Sequence, residues 1–197
     1  MARLPDTIQT KRLQLSVPEV SDGEEIFKSY ASDKRVTVYM TWKPHTTVAD
    51  TREFLSDTIA EWEKNISYSY KVVHISTGRI IGMVKIVITS KKSAMVGYVF
   101  AYNEWNRGYA TELLHTIIQT LFCSSDIYEV SATCDVENKA SERVMKKAGM
   151  KFVKILPKYV IHPNISPNPR DVCLYVVSKK RRRTRQKYED KYAKISY

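Results

Sequence analysis

The sequence predicts an α+β domain built on a mixed sheet, and three observations carry that prediction. Strand-like and helix-like periodicities follow one another in the order β-α-α-β-β-β-α-β-α-β-β. Three strands come in succession before the clearest helix, which places a meander ahead of a parallel crossover. The 197 residues, 43% of them hydrophobic and 27% charged, suit one core that closes without metals or disulfides.

The elements follow from residue patterns. Leu13, Leu15 and Val17 alternate with polar residues, the period of a half-buried strand. Residues 20–31 read as a short helix, and residues 48–64 as a second, with Thr51, Leu55, Thr58, Ile59 and Trp62 at helical spacing. The loop between them, 39–45, holds Trp42 and Pro44. Residues 70–75 and 80–89, β-branched and separated by Ser76, Thr77 and Gly78, form an antiparallel hairpin. A turn at Lys91, Lys92 and Ser93 leads into a strand over 96–101. Ala110, Leu113, Leu114, Ile117, Ile118, Leu121 and Phe122 then mark one apolar stripe of a long helix. Residues 128–134 are a strand, and a helix over 139–148 stops at Gly149 with Lys146 and Lys147 in its last turn. The strands 151–160 and 171–177 finish the pattern, joined by a loop, 162–170, that carries three prolines.

Charge is unevenly spread. Residues 179–197 account for +7 of the formal +11, leaving +4 for residues 1–178, so the basic excess belongs to a tail and not to the body. Cys123, Cys134 and Cys173 are odd in number, widely spaced and set among apolar neighbours, which reads as buried thiols in a reducing compartment. His45, His74, His115 and His162 lack metal-ligand spacing, so no metal is expected. The first ten residues lack the apolar core of a secretory signal and no run is long enough to span a membrane, so a cytoplasmic location is expected.

The most informative segment is the junction between the strand 96–101 and the long helix. Free N–H groups in a helix's first turn favour an anion, and Gly108 and Ala110 keep the approach to that backbone small. Arg107 adds charge for phosphate oxygens. The alternative is a glycine that serves tight packing alone. Trp105, Asn106, Arg107, Gly108, Tyr109, Ala110, Thr111 and Glu112 resemble the W-G-x-G-Y-A-T-E loop of Rim-type GNAT acetyltransferases. Asn106 stands where that branch has glycine, and Asn tolerates left-handed backbone better than most residues. Trp105 reads either as a packed aromatic shoulder or as a ligand contact.

A second stretch strengthens the resemblance. Asn138, Ser141, Val144, Lys147, Gly149 and Met150 are similar to the Rim-type signature N-x-x-S-x-x-V-x-x-K-x-G-F, with Met150 in place of Phe. Asn138 also reads as an N-cap.

The resemblance implies a GNAT fold of about seven strands, mainly antiparallel, with a splayed central pair and acetyl-CoA as co-substrate. It implies that the pantetheine arm bonds the backbone of Val99, Phe100 and Ala101, with Asn138 and Ser141 beside the thioester. By the same analogy a backbone N–H near Val99 stabilises the oxyanion, and Ser141 protonates the departing thiolate, since the helix 139–148 carries no Tyr. The general base is open among Tyr98, Asp135, Glu137, His45 and a relayed water. Tyr39, Trp42 and His45 match the region that walls the acceptor site, and they read equally as a hydrophobic loop anchor.

Two divisions of the chain follow: an acetyltransferase domain over 1–178 and a basic tail over 179–197. The leading reading is an acetyl-CoA-dependent N-acetyltransferase, monomer or homodimer, acting on a primary amine of a small molecule or a protein N-terminus. The alternative is a nucleic-acid or ribosome-binding protein that uses the basic tail with Tyr188, Tyr192 and Tyr197, on a GNAT fold that binds acyl-CoA without turnover.

Overall fold

One eight-stranded sheet organises the computed structural model, which describes residues 4–124 and 126–179. Its strands are β1 (Thr7–Gln9), β2 (Leu13–Ser16), β3 (Ser67–His74), β4 (Ile80–Ser90), β5 (Ser93–Phe100), β6 (Glu129–Asp135), β7 (Lys151–Val160) and β8 (Arg170–Ser178), in the order β1-β2-β3-β4-β5-β6-β8-β7. Neighbours pair antiparallel except β5 and β6, which are parallel. Seven strands match the sequence pattern. The eighth, β1, spans three residues of which only Ile8 is buried, too short to display a period.

The helices are α1 (Gly23–Ile26), α2 (Lys34–Thr37), α3 (Val48–Glu63), α4 (Tyr109–Ser124) and α5 (Lys139–Lys147). The single helix expected over 20–31 is instead a 3-10 turn, α1 and a π turn in succession. The four-residue α2 shows no periodicity in sequence; Asp33 starts it by accepting from the Arg35 N–H at 2.9 Å. α3 opens on a capping box between Thr47 and Asp50.

Two apolar clusters hold the layers. The larger joins Leu113, Leu114, Ile117, Ile118 and Leu121 of α4 and Met145 of α5 to Val84, Val96, Phe100, Val130 and Tyr175 of the sheet. The smaller gathers Ile26, Tyr30, Val36 and Leu55 against Ile80, Met83 and Ala101, with Val99 and Trp42 packed on it. Alternation along β5 thus sends Val96 and Phe100 to one cluster and Val99 to the other.

The β5–β6 ladder is short. It pairs Ser93 with Glu129, Ala94 with Val130 and Met95 with Ser131, and goes no further. β4 continues to hold β5 as far as Phe100, and β8 continues to hold β6 as far as Asp135. Residues 96–100 and 132–135 therefore face each other across a gap in the middle of the sheet.

One expectation changes on the structure. Cys134 and Cys173 are buried, but Cys123 is exposed, because it falls outside the buried stripe of α4. The Lys179 N–H donates to the Tyr128 carbonyl at 2.8 Å and its ammonium to that of Phe122. The rest of the basic tail lies outside the described residues, and with it the RNA or ribosome contact expected of it. No helix among the described residues is long and apolar enough to cross a membrane.

Gly82 of β4 lies directly against β5. A Cβ there would stand 2.3 Å from the Val99 carbonyl oxygen and 3.1 Å from the Phe100 ring, and a backbone atom cannot swing aside. Gly82→Ala is expected to destabilise the fold by about 1–3 kcal/mol, read as a lower denaturation midpoint in urea at unchanged slope.

Candidate active site

The phosphate-type loop begins where β5 ends. A 3-10 turn, Tyr102–Glu104, carries the chain to Trp105, and α4 starts when Glu112 N–H bonds the Gly108 carbonyl at 3.0 Å. The N–H groups of Tyr109, Ala110 and Thr111 in that first turn have no intrahelical partner and sit at the positive end of the helix. Asn106 has φ 61° and Gly108 φ 80°, so both are left-handed. Asn in place of the family's glycine therefore keeps the turn. A Cβ on Gly108 would meet only the Arg12 guanidinium, at 3.5 Å, so its left-handed backbone, more than lack of room, is what calls for glycine.

Trp105 is 40% exposed, its ring tilted on Tyr102 at 5.0 Å and its Nε1–H bonded to the Phe100 carbonyl at 2.8 Å. It is tethered at the rim and not packed into the core. Arg107 is exposed, with Glu104 at 3.6 Å.

Behind the loop, the motif residues Glu112 and Tyr109 are held by partners that the motif does not include. Glu112 accepts from Thr10 Oγ1 (2.6 Å), the Arg12 N–H (2.8 Å) and Arg12 Nε (2.7 Å). Burial alone would raise its carboxyl, but Thr10 and Arg12 outweigh that and hold it below the usual range. Tyr109 bonds His74 Nε2 at 2.9 Å, which fixes the other flank. Arg12 lies about a hundred residues from Glu112, so no local pattern could have signalled it.

Across the gap, Tyr98 of β5 and Ser141 of α5 share a hydrogen bond at 2.9 Å. Burial pushes the Tyr98 phenol well above its ordinary value, against the bond from Ser141, so it remains protonated at neutral pH. Asn138 caps α5 through its side-chain oxygen, which accepts the Ser141 N–H at 3.1 Å. Glu142 anchors the same helix to β8 through the Tyr175 phenol at 3.0 Å. Ala101 N–H turns to β4 and bonds the Ile81 carbonyl at 2.8 Å, so strand alternation turns the peptide groups of Phe100 and Tyr98 toward the gap.

The third wall joins two loops. Asn164, between β7 and β8, donates to the carbonyls of Thr37 (2.7 Å) and Trp42 (2.8 Å). Tyr39, Trp42 and His45 are half-buried on the segment thus held, and the rings of Trp42 and His45 lie 5.2 Å apart. Asn164 was not singled out from the sequence, since its loop reads there only as a proline-rich turn.

The open list of general bases narrows. Asp135 accepts from Arg170 Nε (2.6 Å), Arg170 Nη2 (3.1 Å) and the Glu137 N–H (2.9 Å). Burial would raise it, but Arg170 and that N–H hold it below the usual range, and its side chain is fully enclosed. Glu137 pairs with the same Arg170 at 2.9 Å. His45 shares a bond with Thr51 Oγ1 at 2.8 Å, and burial lowers its pKa against the pull of Asp50, so the ring stays neutral and able to take a proton. His162 is buried with Nε2 3.7 Å from Asp135, and neither ring nitrogen has a hydrogen-bond partner among the described residues.

Comparison with known proteins agrees with this geometry. Residues 12–151 match the profile of the Acetyltransferase (GNAT) domain. The uncharacterized N-acetyltransferase YnaD of Bacillus subtilis (strain 168) is 30% identical over 156 residues, covering 77% of this chain and 88% of that protein. The microcin C7 self-immunity acetyltransferase MccE, solved with acetyl-CoA and AMP, superposes with a TM-score of 0.79 at 21% identity, over 90% of this chain and 99% of that one. RimL, the ribosomal L7/L12 alpha-N-protein acetyltransferase solved with coenzyme A, gives 0.77 at 17% identity, over 87% and 97%.

The enclosed Asp135–Arg170 pair sets a pH dependence of stability. A carboxyl depressed by folding contributes above the ordinary aspartate range, and the contribution is lost as pH falls through the folded value. Asp135→Asn is therefore expected to cost about 3 kcal/mol at pH 7. Its deficit against the wild type should shrink as pH drops below about 3.9, measured by urea unfolding at a series of pH values.

Proposed function

The chain belongs to the GNAT acetyltransferase family, whose members draw on acetyl-CoA, and from that premise we propose that it transfers acetyl directly to a primary amine, a protein N-terminus being the acceptor. The observation that carries this reading is the Tyr98–Ser141 bond spanning the gap where β5 and β6 part. A polypeptide N-terminus is favoured by the likeness to RimL, whose own acceptor is an alpha-amine of a ribosomal protein.

In this reading the left-handed loop and the first turn of α4, Trp105 to Thr111, seat the diphosphate. The peptide groups of β5 that face the gap, at Tyr98 and Phe100, align the pantetheine arm, in place of Val99 and Ala101, whose N–H groups turn to β4, and Asn138 sets Ser141 beside the thioester. The oxyanion is steadied by a backbone N–H that faces the gap, at Tyr98 or Phe100, since the Val99 N–H turns to β4. Ser141 hands a proton to the leaving thiolate and is reprotonated from solvent, while Tyr98, whose phenol stays protonated, holds the Ser141 hydroxyl in place. His45, kept neutral, takes the proton of the incoming amine directly or through a water. Tyr39 and Trp42 wall the amine's approach. The hydroxyl of Ser141 is a weak acid, so its contribution comes from placement.

Thiol release from acetyl-CoA tests the acceptor class: peptides with a free N-terminal amine are expected to turn over, and the same peptides blocked at the N-terminus and carrying only lysine amines are not. Turnover confined to lysine or small-molecule amines would reject the N-terminal assignment. Ser141→Ala should lower turnover about ten- to a thousandfold with acetyl-CoA affinity kept, and Tyr98→Phe should act in the same direction. Wild-type turnover in both variants would leave the thiolate to solvent alone. Gly108→Val, by forcing a branched side chain onto left-handed backbone, should weaken coenzyme A binding about tenfold, read by calorimetry.

A further inference from the structure

We infer that Arg12 is a positioning residue for the cofactor: from the start of β2 it grips the phosphate loop from behind and holds it in its anion-binding shape. The inference rests on the acetyl-CoA reading above and adds to it a residue that lies outside both sequence motifs.

The contacts of this one side chain fall on the loop and the first turn of α4. Its Nη1 donates to the Arg107 carbonyl at 3.0 Å, and its Nε to Glu112 at 2.7 Å. Its guanidinium carbon lies 4.4 Å over the Tyr109 ring. Its Nη2 stands 3.5 Å from where a Cβ of Gly108 would be. The grip therefore closes on Arg107, Gly108, Tyr109 and Glu112 together.

Two physical needs explain why the loop requires it. Asn106 and Gly108 are both left-handed, with Arg107 between them, and for Asn that conformation is unfavourable unless the surroundings impose it. A bond to the carbonyl of the intervening residue fixes the peptide that joins the two turns. The second need is electrostatic. Glu112 is an ionised carboxylate in the first turn of the helix expected to receive a diphosphate, and like charges there repel. Arg12 cancels that charge where it stands, so the N–H groups of the turn present a net positive end.

The fold does not depend on this grip. α4 is seated by Leu113, Leu114, Ile117 and Leu121, all fully buried, whereas the Arg12 side chain is 38% exposed. Loss of the grip should therefore be felt in the loop first.

The geometry also says which replacement fails. A lysine keeps the charge but ends in one nitrogen, which cannot reach Glu112 and the Arg107 carbonyl at once as the guanidinium fork does. Arg12→Gln and Arg12→Lys are thus both expected to weaken coenzyme A binding by about ten- to a hundredfold, measured by calorimetry on the full chain. Acetylpantetheine, which carries the same thioester arm without the diphosphate, is the discriminating probe: its kcat/KM should change by less than about twofold in either variant.

Wild-type coenzyme A affinity in Arg12→Lys would overturn the grip, since charge alone would then suffice. An equal loss with acetyl-CoA and acetylpantetheine would also overturn it, since Arg12 would then be a general structural residue. Should Arg12→Gln fail to fold, Arg12→Lys carries the test. A wild-type chain that does not bind coenzyme A would remove the acetyltransferase reading itself, and the inference with it.

Discussion

The early end of the β5–β6 ladder is the constraint on which the rest of the molecule depends. Strands that share a ladder normally continue it, because an unpaired peptide group inside a sheet forfeits a hydrogen bond. Here three residue pairs form and the strands then part. The sheet tolerates the gap because each strand remains fully supported on its outer side, β5 by β4 and β6 by β8. Peptide groups are thus left facing a cleft, and a linear ligand with amide groups of its own can complete them. The Tyr98–Ser141 bond links β5 to α5, the helix that follows β6.

Each lip of the cleft is stiffened by a charge pair that reaches across sequence. Arg12 and Glu112 tie the start of β2 to the first turn of α4. Asp135 and Arg170 tie the end of β6 to the start of β8, and through the Asp135 carbonyl and carboxylate the turn that opens α5 is set as well. A partly exposed pair such as the first contributes little to global stability. An enclosed pair such as the second chiefly makes its own disruption costly. Both are better understood as fixing positions than as strengthening the core.

How much of this was legible in the sequence depended on whether a feature was local. The stripe of α4, the hairpin before it and the glycine of the loop are set by residues within one or two turns of each other, and the structure places them where the pattern does. The broken helix over 20–31 and the four-residue α2 were not legible, because pieces of three to five residues have no period to detect. β1 was invisible for the same reason. At the site, Ser141 and Tyr98 were named from the sequence, and the structure brings them together. Arg12 and Asn164 were not named: each acts on a backbone carbonyl more than ninety residues away, and a carbonyl carries no side-chain signature.

That last point bears on how acceptor choice is built. Asn164 holds the 37–42 segment by its carbonyls alone, at Thr37 and Trp42, so the position of the wall is set by backbone. The side chains that the wall presents, Tyr39, Trp42 and His45, are not themselves part of that tether. Trp42 and His45 add side-chain anchors of their own, on the smaller cluster and on Thr51, whereas Tyr98, Asn138 and Ser141 are bonded to one another directly. A fold organised in this way lets the proposed acyl transfer and the choice of amine rest on different residues. In the proposed reading the choice of amine therefore falls to Tyr39, Trp42, His45 and the proline-bearing loop that tethers them, and not to the cleft itself.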